Sequence, residues 1–193
     1  FYLLALKFKK IFFLNQSMSN KWLHPNKIVI ENGTKFPKEL ANVSLNNILW
    51  IGRESVEKGI EDLYRIWKKI KTNYPEWNLL IYTPKPIETN LWLEEIENGC
   101  VINIYNQKNL KEIYYSGSIL IQTSHYEGFG LTILEAMSFG LPVISWDCED
   151  GPRHLIANNK SGFLIPEKNF NLYVEKLSNL ISDETLRKSM GNA

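Results

Sequence analysis

Residues 124–146 read SHYEGFGLTILEAMSFGLPVISW, and this stretch decides the fold. The apolar, β-branched run SILIQTS (118–124) leads into it and reads as a buried strand. Gly128 and Gly130 then let the backbone turn sharply and come close to a ligand. LTILEAMSF is rich in strong helix formers, with Gly140 as its C′ stop ahead of Pro142. PVISW is a second apolar strand. Strand, tight turn, helix and strand in this order predict a parallel α/β sheet, Rossmann-like, with helices on both faces.

The predicted helix start aims its unpaired N–H groups, from Phe129 through Gly130 and Leu131 to Thr132, at whatever lies at the strand end. A diphosphate suits that place, because open donors and the helix dipole both favour an anion. Glu135 follows Leu131 by four residues and shares its helix face, its carboxylate leaning back over the first turn. A carboxylate accepts two bonds from a vicinal diol, so Glu135 suits a ribose, and Glu127, ahead of the turn, suits the hydroxyls of a hexose. Two glutamates beside a helix start also read as a solvated cap, and that alternative stands on spacing alone.

Working outward, strand and helix alternate from Ile48 onward. NILWIG, WNLLIYT, CVINIYN and SGFLIP read as strands. Ile60, Leu63, Ile66, Trp67 and Ile70 mark one face of the first crossover helix, with Lys68, Lys69 and Lys71 solvated. Ligands of open α/β sheets bind at the carboxyl ends of the strands, which puts Gly52, Arg53 and Lys58 where an anion would sit.

The string EGFGLTILEAMSFGLPVI resembles the retaining GT-B glycosyltransferases of the group 1 family (family 4), in their C-terminal donor-binding domain. SWDCEDGPRHLI followed by SGFLIP is most like the bacterial hexosyltransferases that build lipopolysaccharide or capsule. The resemblance covers most of residues 28–192. It implies that Gly52, Arg53, Lys58 and Gly59 match the family's GRxxxxKG, whose arginine and lysine neutralise the donor diphosphate. It implies further that Arg53, Lys58 and Glu127 serve the reaction, and that Gly128, Phe129, Gly130, Leu131, Thr132 and Glu135 bind the donor. In the mechanism often proposed for the family, the leaving phosphate takes the acceptor's proton. No Asp-x-Asp is present, and no metal or other cofactor is expected. The family's glycine-containing turn after the second strand is replaced by Thr83-Pro84-Lys85-Pro86. The loop from Asn106 to Asn109 borders the base in the family; Tyr105 or Asn106 is the expected contact, although an aromatic ending a strand also reads as core. His125 is not assigned to catalysis, and His24 and His154 read as surface or packing residues.

The resemblance also divides the chain. Residues 1–33 are expected to be a remnant of the N-terminal acceptor-binding domain, built as a helix, a short strand, a short polar helix and a second strand. Residues 34–46 are expected to be a linker, and residues 47–193 the donor domain, cut off before the family's final crossover helix. The chain opens on Phe1, so a fragment is expected. Asn15-Gln16 stand where the family has Ser-Glu.

Composition sets bounds on function. A net charge of +1 gives no reason to expect nucleic acid. Two cysteines fit neither a zinc pattern nor a disulfide framework, which leaves a reducing cytoplasm as the expected setting. No apolar run reaches the roughly 18 residues of a spanning helix. FYLLALKFKKIFFL is interrupted by three lysines; it reads as a packed helix and strand, with a basic segment lying on a membrane as the alternative. The expected partners are a nucleotide-diphospho-sugar, with UDP preferred over GDP and ADP, and a carbohydrate or lipid-linked saccharide acceptor. Peripheral membrane contact would come through the missing domain, at the inner face of the membrane. Against transfer of a hexose stands a second class of reading: a nucleotide-sugar-binding module with no turnover until a separate acceptor domain or subunit joins it.

Overall fold

A computed structural model describes residues 7–35 and 37–193. Its first part is a small parallel sheet. Strand β1 (Ile11–Phe13) pairs with β2 (Lys27–Val29) across helix α1 (Gln16–Asn20), with Ile11 opposite Lys27. Asn15 caps α1, its side chain accepting from the Met18 N–H. Of the helix expected at the start, residues 1–6 lie outside the described residues, and residues 7–9 form a turn and bend instead. The segment read as a linker contains no helix or strand among its described residues, yet Ala41 and Val43 are buried.

The rest alternates as expected: β3 (Asn47–Ile51), α2 (Ile60–Asn73), β4 (Asn78–Thr83), α3 (Leu93–Glu97, entered by a 3-10 turn), β5 (Val101–Tyr105), α4 (Leu110–Tyr115) and β6 (Ile119–Gln122). Then come α5 (Leu131–Ser138), β7 (Val143–Trp146), α6 (Gly151–Leu155), β8 (Gly162–Ile165), α7 (Phe170–Ser182) and α8 (Glu184–Gly191). The six strands form one parallel sheet in the order β5-β4-β3-β6-β7-β8. Counted within the sheet this is 3-2-1-4-5-6, the Rossmann order, and the direction of winding reverses between β3 and β6.

Successive residues of β3 point to opposite faces, and both faces are covered. Ile48 and Trp50 join a core with Leu63, Ile66 and Leu177, while Leu49 packs with Leu120, Ile133 and Leu141 on the other side. A sheet covered on both faces explains why its strands read as continuous apolar runs and not as alternating ones. All five apolar residues assigned to the inner face of α2 are buried. Asp62 is buried on the same face, which the periodicity did not anticipate.

Two terminations fix the geometry around α5. Gly130 enters the helix at φ +90°, a conformation that a side chain would strain. At the other end the Leu141 N–H donates to Ala136 O and the Gly140 N–H to Met137 O, with Gly140 at φ +76°. This is the Schellman arrangement that the glycine and following proline predicted. Farther along, the buried guanidinium of Arg187 on α8 donates to the carbonyls of Val43, Leu180 and Ile181. That clasps the last helix to the segment entering β3.

Candidate active site

The winding reversal leaves a crevice beyond the carboxyl ends of β3 and β6, and of the predicted residues Gly52, Arg53, Lys58 and Thr132 line it, whereas Glu127 and Gly128 to Leu131 do not. A cavity of about 480 Å³ is lined by Gly52, Arg53 and Lys58 after β3, by Thr83 and Pro84 after β4, and by Asn106 and Gln107 after β5. Leu110 and Ile113 close one side and Thr132 of α5 another. Its size falls in the range of small-molecule sites. The Thr83-Pro84 turn thus borders the cavity despite lacking the expected glycine. Asn106 lines the cavity, whereas Tyr105 is not among the lining residues and is 55% exposed, so it is not core.

Lys58 reaches this place because of Gly59, which turns at φ +67° and would put a Cβ 1.9 Å from Thr123 O. That close approach seats the loop against the end of β6. Lys58 Nζ lies 2.7 Å from Glu127 Oε2, and both side chains are largely buried. Gln122 Nε2 donates to the same carboxylate oxygen at 3.1 Å and to Ser124 Oγ at 2.9 Å. Gln122 Oε1 is buried with no partner among the described residues. The sequence reading missed Gln122; a lone amide inside the apolar run SILIQTS was the available signal.

Arg53 stands differently. Its side chain is 68% exposed and 3.7 Å from Glu57, so it lies at the cavity wall without being fixed. On α5, no described group accepts from the N–H groups of Phe129, Gly130, Leu131 or Thr132. Gly128 is not at positive φ, and a Cβ there would meet nothing within 4 Å. The turn therefore draws its left-handed geometry from Gly130 alone, and Gly128 leaves open space beside it.

Glu135 is half-buried, and its Oε2 accepts from the Tyr114 hydroxyl at 2.6 Å. Burial first, and this bond second, push the Tyr114 phenol well above its ordinary pKa. Glu135 is not among the residues lining the cavity. His125 faces Lys168 and Asp62 instead of the cavity. His154 pairs with Glu31 at 2.7 Å, and buried His24 lies 3.1 Å from Phe8 O, both in packing roles. Cys148 is buried, and burial, followed by the nearby Glu127 charge, pushes its thiol up to about 12. Among the described residues no three His, Cys, Asp or Glu side chains form a cluster suited to a metal ion, and no helix is long and apolar enough to cross a membrane.

A Rossmann-ordered sheet with two cations, a glycine-led helix N-terminus and a carboxylate near its switch point defines a candidate anion-binding site of the α/β class. Residues 31–193 match the family described as glycosyl transferases group 1, and the chain belongs to that family. It is 31% identical over 200 residues to an uncharacterized glycosyltransferase of Haemophilus influenzae, covering 99% of this chain and 57% of that protein. It is 31% identical over 153 residues to the amylovoran biosynthesis glycosyltransferase AmsD of Erwinia amylovora, covering 77% of this chain and 42% of the relative. The chain thus spans about half the length of these curated relatives. Among solved structures, Staphylococcus aureus TarM in complex with UDP superposes with a TM-score of 0.86 at 22% identity, over 96% of this chain and 39% of TarM. The pneumococcal O-GlcNAc transferase GtfA, in complex with UDP and GlcNAc, gives 0.82 at 22% identity, over 99% of this chain and 42% of GtfA. At these identities the likeness shows the shared GT-B type fold.

Proposed function

We propose that this chain is the donor-binding part of a hexosyltransferase that moves a sugar from a nucleotide-diphospho-sugar to a carbohydrate acceptor, with retention, in the synthesis of a bacterial surface polysaccharide or lipopolysaccharide. The observation that carries this reading is the meeting of Arg53, Lys58 and Thr132, at the open start of α5, on one cavity, with Glu127 2.7 Å from Lys58. The base would lie toward Asn106 and Leu110, the diphosphate against Lys58 and the start of α5, and the hexose beside Glu127. An ammonium has three donors, so Lys58 can hold Glu127 and a phosphate oxygen together. Arg53, exposed and loosely paired, is free to swing onto the same phosphates. These cations and the helix N-terminus would stabilise the charge that grows on the leaving diphosphate, with no metal or other cofactor required. UDP is the preferred nucleotide, in keeping with the UDP bound to TarM and GtfA. Residues 7–33 would belong to a separate acceptor domain, and the protein would work in the cytoplasm, at the inner face of the membrane.

Calorimetric titration of the chain with UDP, GDP and ADP, beside Arg53→Ala and Glu135→Ala, tests the reading. Binding of one nucleotide, weakened in both variants, is the expected result. A folded chain that binds none of the three would overturn it. The chain's coverage of about half of its relatives favours a second reading, in which it binds donor and turns nothing over by itself. Transfer from UDP-glucose or UDP-N-acetylglucosamine to an added saccharide would exclude that reading.

A further inference from the structure

Residues 7–35 do more than precede the large sheet: one of their side chains holds the turn before α5 in place. Asn15 is fully buried and uses both ends of its amide. Its Oδ1 accepts from the Met18 N–H at 2.8 Å and starts α1, while its Nδ2 donates to Gly128 O at 3.2 Å, 113 residues away. A second clasp lies alongside. Ser17 Oγ donates to Asp150 Oδ1 at 2.8 Å, and Lys21 Nζ reaches Asp150 Oδ2 at 3.0 Å. Asp150 sits at φ +71°, and the next residue, Gly151, donates its N–H to Glu127 O at 2.9 Å. The carbonyls of Glu127 and Gly128 are thus gripped from two directions.

The Gly128 carbonyl shares its peptide with the Phe129 N–H, and in a planar trans peptide the two point in opposite directions. A peptide that follows glycine turns over easily, and no described atom lies within 4 Å of where a Gly128 Cβ would be. The bond from Asn15 is therefore what fixes this peptide. We infer that Asn15 is a positioning residue: by holding Gly128 O it aims the unpartnered Phe129 N–H, at the entrance to α5, toward the phosphate and sugar of the bound donor. This rests on reading the turn as the donor grip. It makes the N-terminal segment part of donor binding, and not only of acceptor binding.

Asn15→Asp separates this role from capping, since aspartate caps a helix as well as asparagine does but turns a carboxylate oxygen toward the Gly128 carbonyl. The expected result is a chain that still folds, with a lowered melting temperature because a buried carboxylate oxygen faces a carbonyl that has lost its donor, and with UDP affinity about tenfold weaker. Asn15→Ser, which keeps a capping oxygen and is too short to reach Gly128, should lose affinity in the same way. In the unsubstituted chain, UDP should shift the Phe129 amide resonance along with those of Lys58 and Thr132, and this needs no variant to fold. Native UDP affinity in a folded Asn15→Asp chain, or a Phe129 amide unmoved while Lys58 and Thr132 respond, would overturn the inference and leave the donor site standing. If none of the three amides responds to UDP, the donor reading fails first and takes this inference with it.

Discussion

Lys58 stands 2.7 Å from Glu127, and Lys168 stands 2.8 Å from Asp62; both pairs lie at the carboxyl edge of the sheet. Length does not tell them apart, but surroundings do. Asp62 is 3% exposed and also accepts from the Trp146 indole at 3.2 Å, with His125 Nε2 3.6 Å from the same oxygen. The enclosed carboxylate ties α2 to β7 and to the loop after β8, while Lys168 itself is 54% exposed. Glu127 accepts from Lys58 and from Gln122, whose other amide atom is orphaned, and the lysine borders an open cavity. Each lysine borders a cavity, so the carboxylates make the difference: one is spent on three protein partners and reads as architecture, while the other sits beside an amide oxygen left without a partner and reads as a site.

Substitutions should break this contrast in opposite ways. Lys58→Ala should weaken UDP binding by about 10- to 100-fold, the worth of a bond to a charged phosphate, and calorimetry would read it. Asp62→Ala should cost about 2 kcal/mol of stability, because the Trp146 N–H loses its acceptor, while UDP affinity stays at the wild-type value. Denaturant unfolding beside the same titration checks both halves. Equal loss of nucleotide affinity in the two variants would erase the distinction drawn above. Glu127→Gln should leave UDP binding within a few-fold of wild type and weaken UDP-glucose more than UDP, if the carboxylate serves the hexose.

A third pair, Lys68–Glu95, lies on the flank of α2 and offers a milder check. Burial raises the Glu95 pKa, but the Lys68 hydrogen bond and charge, helped by the Cys100 thiol, outweigh it and hold the carboxyl below its ordinary value. The stability this gives is present above the unfolded value of about 4.3 and is lost as pH falls through the lower folded value. Lys68→Met should therefore lower stability modestly at neutral pH, since the lysine is half-exposed, and leave it little changed below about pH 4, which flattens the acid limb of a stability-versus-pH curve.

What could be read from the sequence was what short range controls. The 3.6 period named the buried face of α2, two glycines marked the ends of α5, and unbroken apolar runs gave a sheet covered on both sides. Arg53, Lys58 and Glu127 were placed by the turn and strand ends they follow. What stayed hidden depends on partners far along the chain. Nothing near Asn15 reveals that its amide will meet Gly128, and a charged residue on an apolar face, Asp62, is legible only once Lys168 and Trp146 arrive beside it. Gly128 misled in another way, since a glycine in the sequence does not say whether the backbone or the empty space beside it requires the missing side chain.

The clasp made by Arg187 has a consequence for how the protein is born. Val43, whose carbonyl it holds, leaves the ribosome 144 residues earlier. At synthesis rates of roughly 5–20 residues per second, that carbonyl waits on the order of ten seconds for its cation. During that interval the growing chain can pair β3 with β4, but the strap across its base cannot close. Released chains truncated before and after residue 187 should therefore differ sharply in resistance to a protease, at a length set by one arginine.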